Sequence, residues 1–396
     1  MAETLKRRIG LGLLTAYGVG VMVGAGIYVL VGAVAGSAGV WAPVSFLIAG
    51  LIAAPSALSY AELSTRIPKA AGEAAYVEQA FGLRWLALVI GFGIVVAGTI
   101  SAAAVLRGGA GYLGGLVPLG QPVLIAVLGV FLIGVALIGV LESLAIAALF
   151  TVIELTGLIL VIWAGLSAEP SLPWQAPVPV SITGLGIGAV LAFFAFIGFE
   201  DIVNMAEEVR NPTKTLPRAI ILSLIVTSVI YALVSMAAVR AVAPFDLSHS
   251  TQPLVDVWRA RTGGSAAFLS AIAVAAALNG VLAQIVMASR VLFGMGRDRA
   301  GLALFAHTSA RFGTPVAGTI VVGAAVIGAA LALPVSALAS VTSTVLLAVF
   351  VIINLALLRL KRVTPEAPFR VPTFVPLIGA VVAAGALVLS FVWGTL

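Results

Sequence analysis

The chain has 396 residues, 62% of them hydrophobic and only 9% charged, with a net charge of +6 and a mean hydropathy of +1.21. A soluble globular domain carries roughly 25% charged residues. The composition therefore excludes one and predicts an all-α polytopic membrane protein, a single transmembrane domain over residues 1–396. With no cysteine, disulfides and thiolate metal sites are excluded, and neither metal nor cofactor is expected.

Runs of about 20 apolar residues mark spanning helices. Eleven are predicted, at about 10–36, 41–62, 84–106, 122–141, 145–166, 183–207, 217–238, 265–292, 315–333, 335–358 and 374–395. Lys6, Arg7 and Arg8 precede a run longer than a signal-peptide core, so the first run reads as a retained span. With the N-terminus cytoplasmic, 17 of the 21 Lys and Arg fall on the inner side, leaving Arg107, Arg240, Arg259 and Arg261 outside. That asymmetry predicts a multi-pass protein of the cytoplasmic membrane, N-terminus in and C-terminus out. It also accounts for the pI of about 10 through the anionic lipid leaflet rather than nucleic acid. Trp41, Trp163, Trp174, Trp258 and Trp393 map near the outer interface and Trp85 near the inner one.

The first span contains Gly20-Val-Met-Val-Gly24-Ala25-Gly26-Ile27-Tyr28. Glycine costs about 1 kcal/mol relative to alanine in a helix interior, so the cluster predicts a helix broken at mid-membrane depth, where secondary transporters hold their substrates. The outer half, beginning between Val23 and Ile27, would present free N–H groups and positive dipole charge to a carboxylate. The competing reading is a small-residue packing seam through Gly20 and Gly24. Residues 64–82 predict an amphipathic cytoplasmic loop. In the third span Thr99 and Ser101 either face a pocket or bond back to their own helix, and Arg107 marks the outer end. Glu154 lies about nine residues into the fifth span, about 13 Å from its inner end. An acid at that depth is a proton-coupling candidate, against a structural acid bonded to a neighbouring helix.

The sixth span carries Phe196-Ile197-Gly198-Phe199-Glu200-Asp201, a glycine and two acids inside an apolar run. A second break is predicted there, with unpaired carbonyls suited to an ammonium group. The two breaks together match a zwitterionic amino acid. Val23, Gly24, Ala25, Gly26, Ile27, Phe196, Ile197, Gly198, Phe199 and Glu200 are the candidate substrate contacts. Glu200 and Asp201 are further proton-coupling candidates, unless they pair with Arg210 near the interface. Glu207 and Glu208 read as interface charges. Residues 241–264 predict the largest external loop and 293–314 a basic cytoplasmic connector. Asn279 and Gln284 in the eighth span read first as interhelical hydrogen-bond partners, and His249 and His307 fall in loops. Both interrupted spans open a set of five; five being odd, residues 10–166 and 183–358 would form inverted repeats, with 374–395 outside them.

Four stretches together resemble the amino acid–polyamine–organocation superfamily, in particular its bacterial amino acid permeases and cationic amino acid transporters. They are Gly20 to Ile27; Tyr60-Ala61-Glu62-Leu63 with Pro68-Lys69-Ala70-Ala71-Gly72-Glu73 and Ala80-Phe81-Gly82; Phe193 to Asp201 continuing through Glu207-Glu208-Val209-Arg210-Asn211-Pro212 to Leu216-Pro217-Arg218-Ala219-Ile220; and Ser289-Arg290-Val291-Leu292 with Gly296-Arg297-Asp298. The resemblance implies a LeuT-type 5+5 inverted repeat with discontinuous first and sixth spans, and alternating access. It implies that backbone at Gly24, Ala25 and Gly26 binds the substrate carboxylate, that backbone at Phe196, Ile197 and Gly198 binds the amino group, and that Phe196 gates the site. Two departures stand out. Many members have twelve spans rather than eleven, and some proton-coupled members carry a lysine where Glu154 stands. Sodium sites of this fold use hydroxyls on the eighth span, and residues 271–278 contain none.

The expected function is secondary active transport of amino acids, by proton symport or by amino acid/amine (polyamine) exchange. A channel would need a continuous polar stripe, and an intramembrane enzyme clustered His, Asp or Ser on facing helices. An ATP-driven pump would need a phosphate-binding loop, and no lysine follows a glycine here. The expected partners are the amino acid, protons and the lipid bilayer.

Overall fold

The structure is a computed structural model; the described residues are 9–67, 72–138, 144–171, 179–206, 208–298, 300–309 and 311–394. Each of the eleven predicted runs has its helix among them. In chain order these are α1 (Leu11–Ala38), α2 (Ala42–Arg66), a short α3 (Gly72–Phe81), α4 (Arg84–Gly114), α5 (Gln121–Ile138), α6 (Leu144–Ser167), α7 (Ile182–Phe193), α8 (Pro212–Ala241), the short α9 (Pro244–His249) and α10 (Pro253–Thr262), α11 (Ala267–Asp298), α12 (Val316–Ala332), α13 (Val335–Val363) and α14 (Phe374–Gly394). By length and composition, nine stretches of the described residues can cross a membrane, the first of them, Gly26–Arg66, running from one helix into the next. Leu11–Val23 and Val316–Ala332 are shorter apolar helices. This is an all-α polytopic membrane protein.

Local chemistry sets the boundaries. Prolines stand in the first turns of α2, α8, α9 and α10, where their missing N–H costs nothing. Ser181 caps α7 by accepting a hydrogen bond from Gly184 N at 3.0 Å. Between helices the seams are made of small residues, which let backbones approach where no hydrophobic effect drives association. Gly109 faces Ala277, and Gly165 faces the carbonyl of Ala237. Four of the five counterpart pairs in the two expected sets pack directly on one another: α1 on α7, α2 on α8, α4 on α11 and α5 on α12.

Three expectations change. α1 runs unbroken from Leu11 to Ala38, so the predicted interruption at Gly24–Gly26 is not present. Its glycines serve close packing: a β-carbon on Gly18 would strike Ile202, one on Gly20 Thr151, and one on Gly26 would lie 2.5 Å from Ala195 Cα. The packing gained along this seam offsets the helix-propensity cost of glycine, and the helix stays whole. The sixth span does break, but it does not resume as an α-helix. α7 passes into a 3-10 turn at Phe194–Phe196, an extended residue at Ile197, Gly198 at φ +124°, and a second 3-10 stretch at Glu200–Met205. The segment 241–264, predicted as a loop, is folded into two short helices. Its α9 lies against α1, with Gly32 facing the Leu247 carbonyl, and its α10 lies against α6.

Candidate functional site

The break in the sixth span follows from its glycine. At φ +124° only a residue without a β-carbon is comfortable. A β-carbon there would also come within 2.6 Å of Val21 Cγ1 and 3.3 Å of Met22 N, so Gly198 sits against the backbone of α1. The Gly198 N–H, left without a helical acceptor, donates to Glu200 Oε2 at 2.9 Å. The carboxylate of Glu200 is thus buried and turned back onto the break. On the other side stands Tyr231 of α8, fully buried, its hydroxyl 2.6 Å from the Met22 carbonyl oxygen and 2.7 Å from that of Ala195. A phenol has one proton, so one hydroxyl serves two carbonyls, one on α1 and one on the break. Phe196 packs edge-on against the Tyr231 ring, with centroids 5.2 Å apart.

Beside the break lies a cavity of about 40 Å³. α1 lines it with Gly20, Val21, Met22 and Gly26; α4 with Ser101 and Val105; the sixth span with Phe194 and Ile197; α11 with Asn279, Gly280, Ala283 and Gln284. Of the sequence-predicted contacts, Gly26 and Ile197 reach the cavity. Val23 and Ile27 are fully buried in the core behind it. Gly24 and Ala25 fall within α1, but their surroundings lie outside the described residues. Phe199 belongs to an aromatic cluster with Tyr60 and Phe350, at centroid distances of 5.7 and 5.3 Å. No ionisable side chain lines the cavity among the described residues.

A family model described as amino acid permease matches residues 9–395. The chain belongs to the amino acid permease family. This member is 32% identical over 358 residues to the mitochondrial cationic amino acid transporter 3 of Arabidopsis thaliana, a match covering 83% of the chain and 58% of that relative. It is 29% identical over 424 residues to the branched-chain amino acid permease BcaP of Bacillus subtilis, covering 100% of the chain and 90% of the permease. It is also 29% identical over 364 residues to the methylthioribose transporter of Bacillus subtilis, covering 86% of the chain and 78% of that protein. The chain thus spans somewhat more than half the length of the plant relative and nearly all of BcaP.

Glu154 is buried in α6 with both carboxyl oxygens unpartnered, while its backbone carbonyl accepts from Tyr28 at 2.9 Å. Asp201 is half-buried at the start of the second 3-10 stretch. Glu208 offers its backbone carbonyl to Ile9 N at 3.1 Å, and Arg210 N donates to the Ile9 carbonyl at 2.8 Å; Glu207 lies outside the described residues. Thr99 bonds back to the Val95 carbonyl, and Arg107 donates to the Ala330 carbonyl at 2.7 Å. His249 and His307 are exposed and each bonds a backbone carbonyl four residues earlier. Asn279 and Gln284, read from the sequence as interhelical ties, both line the cavity.

Sequence reasoning missed three features. Tyr231 is one. The second is the chain in which Tyr112 donates to the Tyr28 carbonyl at 2.8 Å while Tyr28 donates to that of Glu154. The third is Glu62, fully buried in α2, which meets Arg66 at 2.6 Å, Lys361 at 2.6 Å and Val371 N at 2.8 Å. A tyrosine in an apolar run carries no signal beyond packing. Glu62, an acid at the end of a span followed by Arg66, did carry one, since a buried acid needs a counter-charge.

Proposed function

We propose that the chain is a secondary active transporter that moves amino acids across the cytoplasmic membrane by alternating access. The observation that carries this reading is the interrupted sixth span lying against the glycine face of α1 with a cavity between them. Family membership and the names of the plant transporters and of BcaP support an amino acid as the cargo. Packing of α1 on α7, α2 on α8, α4 on α11 and α5 on α12 supports two five-helix repeats, residues 10–166 and 183–358, with 374–395 outside them. The α1 segment Val23, Gly24, Ala25, Gly26 and Ile27 takes the substrate carboxylate side. Phe196, Ile197, Gly198, Phe199 and Glu200 take the amino side, where carbonyls near the break offer partial negative charge. The cargo's side chain is uncharged, since a cationic one would need a buried counter-charge and Glu200 is turned onto Gly198.

Proton symport is the proposed mode, with Glu154 as the coupling residue and Glu200 and Asp201 as the other candidates. A buried carboxyl without partners is far cheaper to hold neutral than ionised, which suits a group that takes up and releases a proton. In proteoliposomes, uptake of labelled amino acid is expected to follow an inward proton gradient and to ignore sodium. A sodium requirement overturns the Glu154 scheme, and a strict need for internal amino acid or amine favours exchange. Glu154→Gln is expected to remove the pH dependence of uptake while amino acid still raises the Tm of the purified protein; unchanged pH dependence counts against it.

A further inference from the structure

Three polar residues line the cavity: Ser101 from α4, and Asn279 and Gln284 from α11. Gln284 differs in one respect, because its amide oxygen is buried without a hydrogen-bond partner. It lies over Gly98 of α4, where a β-carbon would come within 2.8 Å of that oxygen and 2.9 Å of Met287 Cε. Glycine at 98 is what gives the amide its room. A buried acceptor without a donor is a standing cost that is relieved when a donor arrives. Apart from Ser101 and Asn279 the cavity is lined by glycine and apolar residues, and no ionisable side chain lines it among the described residues.

We propose that this cavity selects amino acids whose side chains are uncharged and hydrogen-bonding, a hydroxyl or a carboxamide, and that Gln284 is the residue that reads that group. The inference rests on the transport reading above and narrows its cargo. An amide presents a carbonyl on one edge and two N–H donors on the other. A half-turn of the Gln284 side chain therefore serves the hydroxyl of serine or threonine and either edge of asparagine. Leucine leaves the Gln284 oxygen as it is, unpaired. Lysine brings a charge into a wall that offers no opposite one. Sites built on such a hydrogen bond discriminate more strongly than sites that only measure a methylene.

The test uses the full chain in proteoliposomes, with labelled serine and labelled leucine each competed by serine, threonine, asparagine, leucine and lysine. Serine, threonine and asparagine are expected to compete at least ~ten-fold better than leucine, with lysine weaker still. Gln284→Met, similar in size and without the amide, is expected to bring serine and leucine within about three-fold of each other. Leucine or lysine competing as well as serine against the wild-type protein overturns the inference and leaves amino acid transport standing. Unchanged selectivity in a Gln284→Met protein that still takes up leucine overturns the role of Gln284. If that variant does not fold, Gln284→Asn, which withdraws the amide by one methylene, replaces it with the same expected loss of selectivity. Absence of uptake and of competition for every amino acid, by a wild-type protein that is folded by its melting curve, overturns the transport reading itself.

Discussion

At the scale of single residues, the site is organised by groups that answer backbone atoms rather than other side chains. Tyr231 bridges two carbonyls that belong to different helices. The Tyr231 ring also packs on Phe46, with centroids 5.6 Å apart; Tyr231→Phe keeps the packing on Phe196 and Phe46 and removes the proton. Leaving a buried carbonyl unpaired costs about 1–3 kcal/mol, so the variant is expected to melt below the wild-type protein in the same detergent, and an unchanged Tm would refute the bridge. Nothing in the sequence around Tyr231 announced it, because its partners lie 209 and 36 residues away. Glu73, on α3 outside the spans, is buried and accepts from the Tyr60 hydroxyl at 3.2 Å. Burial pushes its carboxyl above the ordinary value of 4.5, opposed by its own backbone N–H and by Tyr60. The folded state therefore holds this proton more tightly than the unfolded state, and ionisation costs stability. Its penalty is absent well below pH 4.5 and grows as pH rises from there through the raised folded value. Glu73→Gln keeps an oxygen for Tyr60. It is expected to be the more stable protein at about pH 7–8 and to lose that advantage toward pH 4, as read from Tm across a pH series.

At the scale of elements, the eleven helices were legible because about 20 apolar residues have one economical conformation in a bilayer, the helix that satisfies its own backbone. The break in the sixth span was legible for the same reason in reverse, since Gly198 and two acids stand inside such a run. The first span was not legible. Glycine weakens a helix and also narrows it, and which effect governs depends on what stands opposite. Opposite α1 stand Thr151, Ala195 and Ile202, more than a hundred residues further along. Contact with them keeps α1 whole. Gly198→Ala meets both constraints at once, a strained φ and a β-carbon within 2.6 Å of Val21 Cγ1. Strain of this kind costs of order 1–3 kcal/mol before the clash is counted. The variant is expected to push α1 and the break apart and to abolish the Tm rise given by bound amino acid; a wild-type rise would show that the contact is not needed.

At the scale of the molecule, one end of the helix bundle is tied by a buried charge group that joins distant parts of the chain. Glu62 holds Arg66 and Lys361, Arg66 donates to the Thr364 carbonyl, and Lys361 donates to that of Val371. Removing one member of a buried ion group leaves its partners uncompensated and costs about 3–5 kcal/mol. Glu62→Ala is therefore expected to lower the Tm far more than Glu62→Ala combined with Lys361→Met, while equal losses would mean that the pair is not coupled. Orientation is testable as simply, because the chain has no cysteine of its own. A single cysteine replacing Arg261 should react with a membrane-impermeant maleimide on intact cells, and one replacing Arg362 only after permeabilisation; the reverse pattern would invert the proposed topology. The charge asymmetry that suggests this orientation was legible from composition and spacing. The Glu62 group was half legible, since Arg66 lies one turn away but Lys361 comes from the other end of the chain.

The face of α1 at Gly26 meets the backbone of Ala195, where a β-carbon would come within 2.5 Å, and the same helix takes Gly198 at Val21 and Met22. Neither glycine brings a side chain to cushion the contact. A molecule lodged between α1 and the interrupted span acts as a wedge, and the work of parting them is subtracted from its affinity. Weak binding and large motion then share a single origin, a seam of glycine.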